Sequence, residues 1–153
     1  MKPIMQILYH VRRWVFIVTR WKTRGVKVML FNPAGELLLV RNSYGKSHLY
    51  LFPGGGIGRG ETPEAAAARE VKEEVGIRLT DLAAFATYEN RAEGWRDTIH
   101  LFTARADAAP KADGVEVEEA RFFPLDRLPE TASDATLRRI QEYRGDRPIE
   151  PRW

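Results

Sequence analysis

Residues 55–77 read GGIGRGETPEAAAAREVKEEVGI, and the order of residue types in this stretch decides how the chain around it folds. Thr62, Pro63 and Glu64 make a helix start: a capping hydroxyl, a proline at the first helical position and an acid in the first turn. The helix is predicted to run to about Val75 and to stop at Gly76, since glycine best tolerates the left-handed residue that ends a helix. Glu70, Glu73 and Glu74 lie three and four positions apart and therefore share a helical face. Three like charges at this spacing destabilise a bare helix, so the face calls for a cation. The glycines ahead of the helix let the backbone bend sharply and approach a ligand closely. A carbonyl from that turn can join a metal shell while amides face phosphate. Loop and helix together describe a site for a diphosphate held through divalent metal.

Outward from this stretch the pattern is mixed. GVKVMLF at 25–31 alternates and is β-branched, NPAG at 32–35 is a turn, and ELLLVR at 36–41 is a second apolar run, which predicts a β-hairpin. LYLFPGGG at 49–56 brings a short apolar run into the glycine cluster. Beyond the helix, 77–90 and 96–105 are predicted strands with a turn at 90–94. RFFPL at 121–125 adds a short strand, and Ser133 and Asp134 cap a last helix, ATLRRIQEYR, ended by Gly145. Residues 25–153 thus form one α/β unit, and residues 1–24 an apolar, basic extension.

The chain has 153 residues, 44% of them hydrophobic, which suits one domain with a real core. It has no cysteine, so a disulfide framework and a thiolate metal site are excluded. A metal must be held by carboxylate, carbonyl, imidazole or water, which favours a hard cation such as Mg²⁺, with Mn²⁺ as a substitute. The absence of cysteine fits the cytoplasm. His10, His48 and His100 have no ligand spacing among them.

The net charge of +3 conceals an asymmetry. The first 35 residues hold seven Lys or Arg and no acid, leaving 17 basic against 21 acidic residues in the rest. Residues 4–18, IMQILYHVRRWVFIV, are interrupted by Gln6, His10, Arg12 and Arg13. No run approaches the roughly 20 apolar residues of a spanning helix, and no transmembrane segment is expected. Ile4, Leu8, Val11 and Val15 are spaced as one helical stripe, which predicts a homodimer built through the arm, with packing on its own domain or on a membrane surface as the alternatives. No stable nucleic-acid partner is expected.

The 23-residue stretch resembles the Nudix box at every specified position. Gly55 is followed after five residues by Glu61, and after seven more come Arg69 and Glu70, then Glu73 and Glu74, then Gly76 and an apolar residue. The resemblance implies a Nudix fold, an α/β/α sandwich with a mixed β-sheet. It implies a Mg²⁺-dependent pyrophosphohydrolase in which water attacks a phosphorus of a nucleoside diphosphate linked to another moiety. It makes Glu70 and Glu74 the principal metal ligands, Glu73 a further ligand or base, Arg69 the residue that orients the glutamates, and Glu61 a support for the metal's waters. Gly55 would lend its carbonyl to the metal and its backbone to the substrate. The family often draws one more acid from a later loop. Glu116 is the candidate, with Glu118, Glu119, Glu93 and Asp97 as alternatives. The family often has tryptophan three positions before the proline that enters the box, and here Tyr50 stands there, before Pro53.

From the residues themselves, Arg41 at the end of the second strand and Arg91 in the 90–94 turn are phosphate or sugar contacts. Tyr88 and Trp95 are core aromatics or base-stacking surfaces. A nucleoside diphosphate sugar is the expected substrate, with a nucleoside triphosphate or RNA 5′ end next, and a nucleotide-binding module without turnover as the non-enzymatic alternative. The proline that ADP-ribose-specific members carry after the box is missing, since none occurs between Gly76 and Pro110.

Overall fold

The computed structural model describes residues 22–43, 45, 48–92 and 95–153. The apolar segment at 4–18, with its proposed dimer stripe, and Glu93 lie outside them. The strands are β1 (Lys22–Phe31), β2 (Leu37–Asn42), β3 (Tyr50–Leu51), β4 (Thr80–Ala92), β5 (Trp95–Arg105) and β6 (Val117–Phe123). Two helices complete the described residues, α1 (Pro63–Val75) and α2 (Asp134–Arg144). None of these is long and apolar enough to cross a membrane.

Helix α1 begins and ends where its sequence says. The Thr62 hydroxyl accepts the Ala65 N–H at 3.2 Å, Pro63 opens the helix, and Gly76 closes it at φ 71°, donating its N–H to the Lys72 carbonyl at 3.0 Å. Ser133 and Gly145 cap α2 in the same manner.

The sheet is mixed, as expected. β1 pairs with β5 in parallel along ten residues, and the other pairings between strands are antiparallel. β1 and β2 are buried on both faces from Val28 to Phe31 and from Leu37 to Val40, which accounts for the apolar runs there. On one face Val26, Val28, Leu30, Leu38 and Val40 pack against Ala66, Ala67, Val71 and Val75 of α1. On the other, Met29, Phe31, Leu37, Leu39 and Leu101 join Tyr88 and Ile140 of α2. Helix, sheet and helix make the expected sandwich.

The expected hairpin differs in one respect that builds the site. β1 and β2 meet at a single pair, Phe31↔Leu37, and then diverge. Into the gap comes the 50–56 segment. Its first part pairs with β2 at Val40↔Leu51 and Arg41↔Tyr50, and its second part pairs with β1, where Val28 and Val26 donate to the Pro53 and Gly55 carbonyls at 3.0 and 2.9 Å. The outer edge of β2 goes to β6 instead. The glycine cluster is thereby set in the middle of the sheet. Gly54 is obligatory there: its φ is +145°, and a Cβ would lie 2.1 Å from the Val26 carbonyl oxygen.

Other boundaries move by a few residues. β1 starts at Lys22, inside the segment assigned to the extension. β4 runs on to Ala92 through the predicted turn, and β6 starts at Val117 rather than at 121.

Under the second face lies a buried ion pair. Arg139 and Glu142 have fully buried side chains 2.9 Å apart. Glu142 also accepts the Tyr88 hydroxyl at 2.6 Å and the Glu150 N–H at 3.1 Å. Arg139 donates to the Arg152 carbonyl at 2.7 Å and stacks 4.3 Å from the Tyr88 ring centroid. The segment around residue 152 is thereby drawn onto edge strand β4, where Glu89 and Pro151 share a 2.7 Å hydrogen bond.

Candidate active site

α1 places its acids on two adjacent stripes. Glu70 and Glu74, one turn apart, are 8% and 5% exposed and face the glycine loop. The Glu74 carboxylate accepts the Gly54 N–H at 2.9 Å. The Glu70 carboxylate fills the space beside Gly55, where a Cβ would lie 2.5 Å from its carboxyl carbon. Glu73 sits on the neighbouring stripe with Arg69 and is exposed, so the three acids that share a face by spacing divide into a buried pair and an outer member.

Arg69 braces the arrangement with nearly all its donors. Its Nε and Nη2 reach the two oxygens of Glu61 at 2.8 and 3.0 Å, its Nη1 reaches Glu70 at 2.7 Å and Glu73 at 3.4 Å, and its Nη2 also reaches the Gly56 carbonyl at 2.9 Å. Glu61 in turn accepts the Gly58 N–H at 2.7 Å. One guanidinium thus ties the loop, the residue before the helix and the helix together, which a point-charge lysine could not do.

Electrostatics separate the carboxyls. The Arg69 hydrogen bonds hold Glu61 down at about 2. Burial pushes Glu74 up to about 7, against the pull of Lys27 and the Gly54 N–H, with Glu70 and Asp113 adding repulsion. Burial also raises Glu70, opposed by Arg69. A buried pair of like charges without enough positive charge nearby is the environment a divalent cation relieves. Among the described residues no three His, Asp or Glu side chains converge on one point. That is compatible with Mg²⁺, which keeps several waters and takes only one or two carboxylates from the protein. The donors are all oxygen, and the residues fit such an ion.

The other candidates are dispersed. The Gly55 carbonyl accepts the Val26 N–H and retains one lone pair. Glu116 is buried in the turn before β6, its carboxyl raised by burial. The same turn is fastened to the end of α1 by the Asp113 N–H, which donates to the Glu74 carbonyl at 3.0 Å, while Asp113 Oδ1 accepts the N–H groups of Val115, Glu116 and Val117. Arg41 is paired with Glu118 at 3.4 Å and Glu119 at 3.2 Å. Arg91 is paired with Glu89 on edge strand β4, separated from β1 by the whole of β5. Tyr88 belongs to the core, and Tyr50 packs edge-on against Phe123 at 5.2 Å. His48 is exposed, and His100 contacts Thr87 at 3.3 Å.

Sequence reasoning missed Lys27. Its ammonium donates to the Phe52 carbonyl at 3.0 Å, and its positive charge works against the upward push of burial on the Glu74 and Glu70 carboxyls. A signal existed: a lysine in the middle of VKVML, a strand otherwise apolar on both faces.

The NUDIX domain model matches residues 21–143. An uncharacterised Nudix hydrolase of Pseudomonas aeruginosa is 36% identical over 104 residues, 65% of this chain and 62% of the relative. An isopentenyl-diphosphate Delta-isomerase of Streptomyces griseus is 37% identical over 125 residues, 73% of this chain and 62% of that enzyme. The matched part is thus about three fifths of the length of either relative. The crystal structure of a MutT NUDIX hydrolase from Burkholderia pseudomallei shares the fold, with a TM-score of 0.70 at 23% identity over 78% of this chain and 96% of the other.

Proposed function

We propose that this chain, which belongs to the NUDIX domain family, is a divalent-metal-dependent pyrophosphohydrolase whose preferred substrates are nucleoside diphosphate sugars. The observation that carries this reading is the buried Glu70 and Glu74 pair held against a glycine loop inside the sheet. Glu70 and Glu74 hold the ion, with water and the Gly55 carbonyl as further oxygen donors. Mg²⁺, or Mn²⁺ in its place, supplies polarisation of phosphate oxygens and neutralises the charge that builds up at phosphorus. Arg69 and Glu61 keep the Glu70 carboxylate in place when substrate arrives. Glu73, exposed beside the pair, takes the proton of the attacking water, and Glu116 is the second candidate for that task. Water adds to one phosphorus as the P–O–P bridge breaks, giving a nucleoside monophosphate and a phosphorylated partner. Arg41 contacts the sugar or its phosphate once its pairing with Glu118 and Glu119 is exchanged, and Arg91 is the more distant candidate.

The finer assignments belong to the same proposal: a cytoplasmic homodimer joined through the 1–24 arm, which light scattering on the full chain and on a chain lacking residues 1–22 tests. A substrate panel tests the activity. With Mg²⁺ and full-length protein, nucleoside diphosphate sugars should yield nucleoside monophosphate and sugar phosphate, faster than triphosphates or triphosphorylated RNA. The relationship to an isopentenyl-diphosphate isomerase supplies the competing outcome, conversion of isopentenyl diphosphate with its diphosphate intact. That result, or no cleavage of any diphosphate, overturns the reading.

Gly55→Ala is a sharper probe of the site. The new Cβ has no room beside the Glu70 carboxylate, so Mg²⁺ affinity should fall about 10–100-fold, the scale for disturbing a ligand's support. Calorimetric titration checks this, and wild-type affinity in the variant contradicts the placement of Glu70.

A further inference from the structure

Residues 151–153 lie along edge strand β4 as a short parallel neighbour, with Arg152 as the bridge partner of Glu89. The Glu89 N–H donates to the Pro151 carbonyl at 2.7 Å, and the Trp153 N–H donates to the Glu89 carbonyl at 3.2 Å. Strand alternation sends Trp153 and Arg152 to opposite sides. Trp153 goes to the Tyr88 side, its ring 5.5 Å from the Tyr88 ring and 5.6 Å from the Arg139 guanidinium. Arg152 goes to the side of α1, while its carbonyl is held by Arg139 at 2.7 Å. There Glu89, Arg91, Pro151 and Arg152 line a cavity of about 300 Å³. Sites for small molecules run from roughly 300 to 1,000 Å³, so this one suits a small ligand.

The charge around the cavity is one-sided. Sheet register sets Arg91 directly opposite Arg96 of β5, and Arg24 of β1 in line with Thr98 and Glu89, all on that same face. Like charges directly opposite each other across a ladder are destabilising. Glu89 is the acid at these positions, and Arg91 already holds it at 3.0 Å. Arg24, Arg96 and Arg152 are exposed, and none of them has an ion pair among the described residues. An anion relieves that excess, and phosphate matches the planar fork of arginine. The arginine stems and Pro151 give the cavity apolar walls, with room beyond a phosphate for a small organic body. We propose that this cavity is a second anion site, which takes the phosphate of a small phosphomonoester between Arg91 and Arg152. The inference goes beyond the hydrolase reading and needs neither metal nor acid pair, since β4, β5 and β1 separate the cavity from the glycine loop. An occupant also fastens residues 151–153 to β4, because it bridges the two.

The test uses the full chain at pH 8 in EDTA, where a phosphomonoester is close to a dianion and no divalent ion draws phosphate to the acid pair. Backbone amide shifts are followed by nuclear magnetic resonance as glucose 1-phosphate, inorganic phosphate or glucose is added, each against chloride at matched ionic strength. Glucose 1-phosphate should give saturable shifts centred on Arg91, Arg152 and Trp153 and should bind more tightly than inorganic phosphate, and glucose should give none. Arg152→Gln should weaken glucose 1-phosphate about tenfold or more, the value of one charge-assisted contact. Arg96→Gln, which removes a neighbouring charge and no wall of the cavity, should weaken it about threefold. Arg78→Gln lowers the net charge equally at an exposed position before β4 and should leave the affinity unchanged. Circular dichroism and urea midpoints in chloride should match wild type in all three, because the fold uses the backbone of Arg152 and not its side chain. Absence of saturable shifts, or shifts centred on the glycine loop, overturns the proposal. Equal weakening by Arg78→Gln and Arg152→Gln also overturns it, because net charge alone would then be at work. Tighter binding of inorganic phosphate than of glucose 1-phosphate overturns the assignment to a phosphomonoester.

Discussion

Glu74→Gln should lower kcat/KM by about 10²–10⁴-fold and at the same time make the metal-free protein more stable at neutral pH. The two effects have one cause. Glu74 is 5% exposed, and burial pushes its carboxyl up to about 7, so ionising it in the folded chain without metal is unfavourable. Between about pH 4.5 and 7 the folded protein retains a proton that the unfolded chain has released. Stability of the metal-free wild type therefore falls as pH rises through that window, by an amount on the order of a few kcal/mol. The amide of glutamine cannot ionise, and its oxygen can still accept the Gly54 N–H, so the dependence should be largely lost in the variant. Glu70, also raised by burial, leaves a smaller slope of the same sign. Urea midpoints at pH 5 and pH 8 in EDTA measure the stability, and turnover in Mg²⁺ measures the rest. A variant both fully active and no more stable at pH 8 contradicts the account.

Arg139→Ala should destabilise the fold by about 3–5 kcal/mol, because it leaves the Glu142 carboxylate buried without its cation. It also frees the Arg152 carbonyl and removes the guanidinium stacked on Tyr88. Arg139→Met combined with Glu142→Leu should recover most of the loss, since apolar residues of similar size tolerate burial better than a lone charge. The deficit that remains in the double variant is the Tyr88 hydroxyl and the Glu150 N–H, which lose their acceptor, and the Arg152 carbonyl, which loses its donor. This cluster lies on the face opposite α1. Turnover per folded molecule should accordingly stay within about twofold, as for sites without shared partners. Equal urea midpoints for wild type and Arg139→Ala contradict this reading of the cluster.

What the sequence made legible was local. Thr62, Pro63 and Gly76 act within one turn of α1, and Glu70 with Glu74 depends only on helical spacing. Glu73 shows the limit of spacing as a guide: at 100° per residue Glu74 lies 40° from Glu70, whereas Glu73 lies 60° away on the other side, toward Arg69. Pairing partners were not legible. Nothing within GVKVMLF or ELLLVR tells that the two strands part after one residue pair to admit the 50–56 segment, because that depends on hydrogen bonds to residues some twenty-five positions on. The start of β6 was hidden likewise. Glu118 and Glu119 suggest a solvated loop until Arg41 from β2 stands against them. Lys27 and Arg139 were passed over for a similar reason, since a charge inside an apolar pattern acquires meaning only from the partner that tertiary structure brings to it.

The direct test of the buried acid pair as the metal seat is a Mn²⁺ titration followed by electron paramagnetic resonance. Full-length wild type at pH 8 should remove free Mn²⁺ signal with at least one equivalent bound, and Mg²⁺ should compete it away. Glu70→Gln and Glu74→Gln should each leave the signal free under the same conditions, their folds intact by circular dichroism. Undiminished binding in both variants would contradict the account.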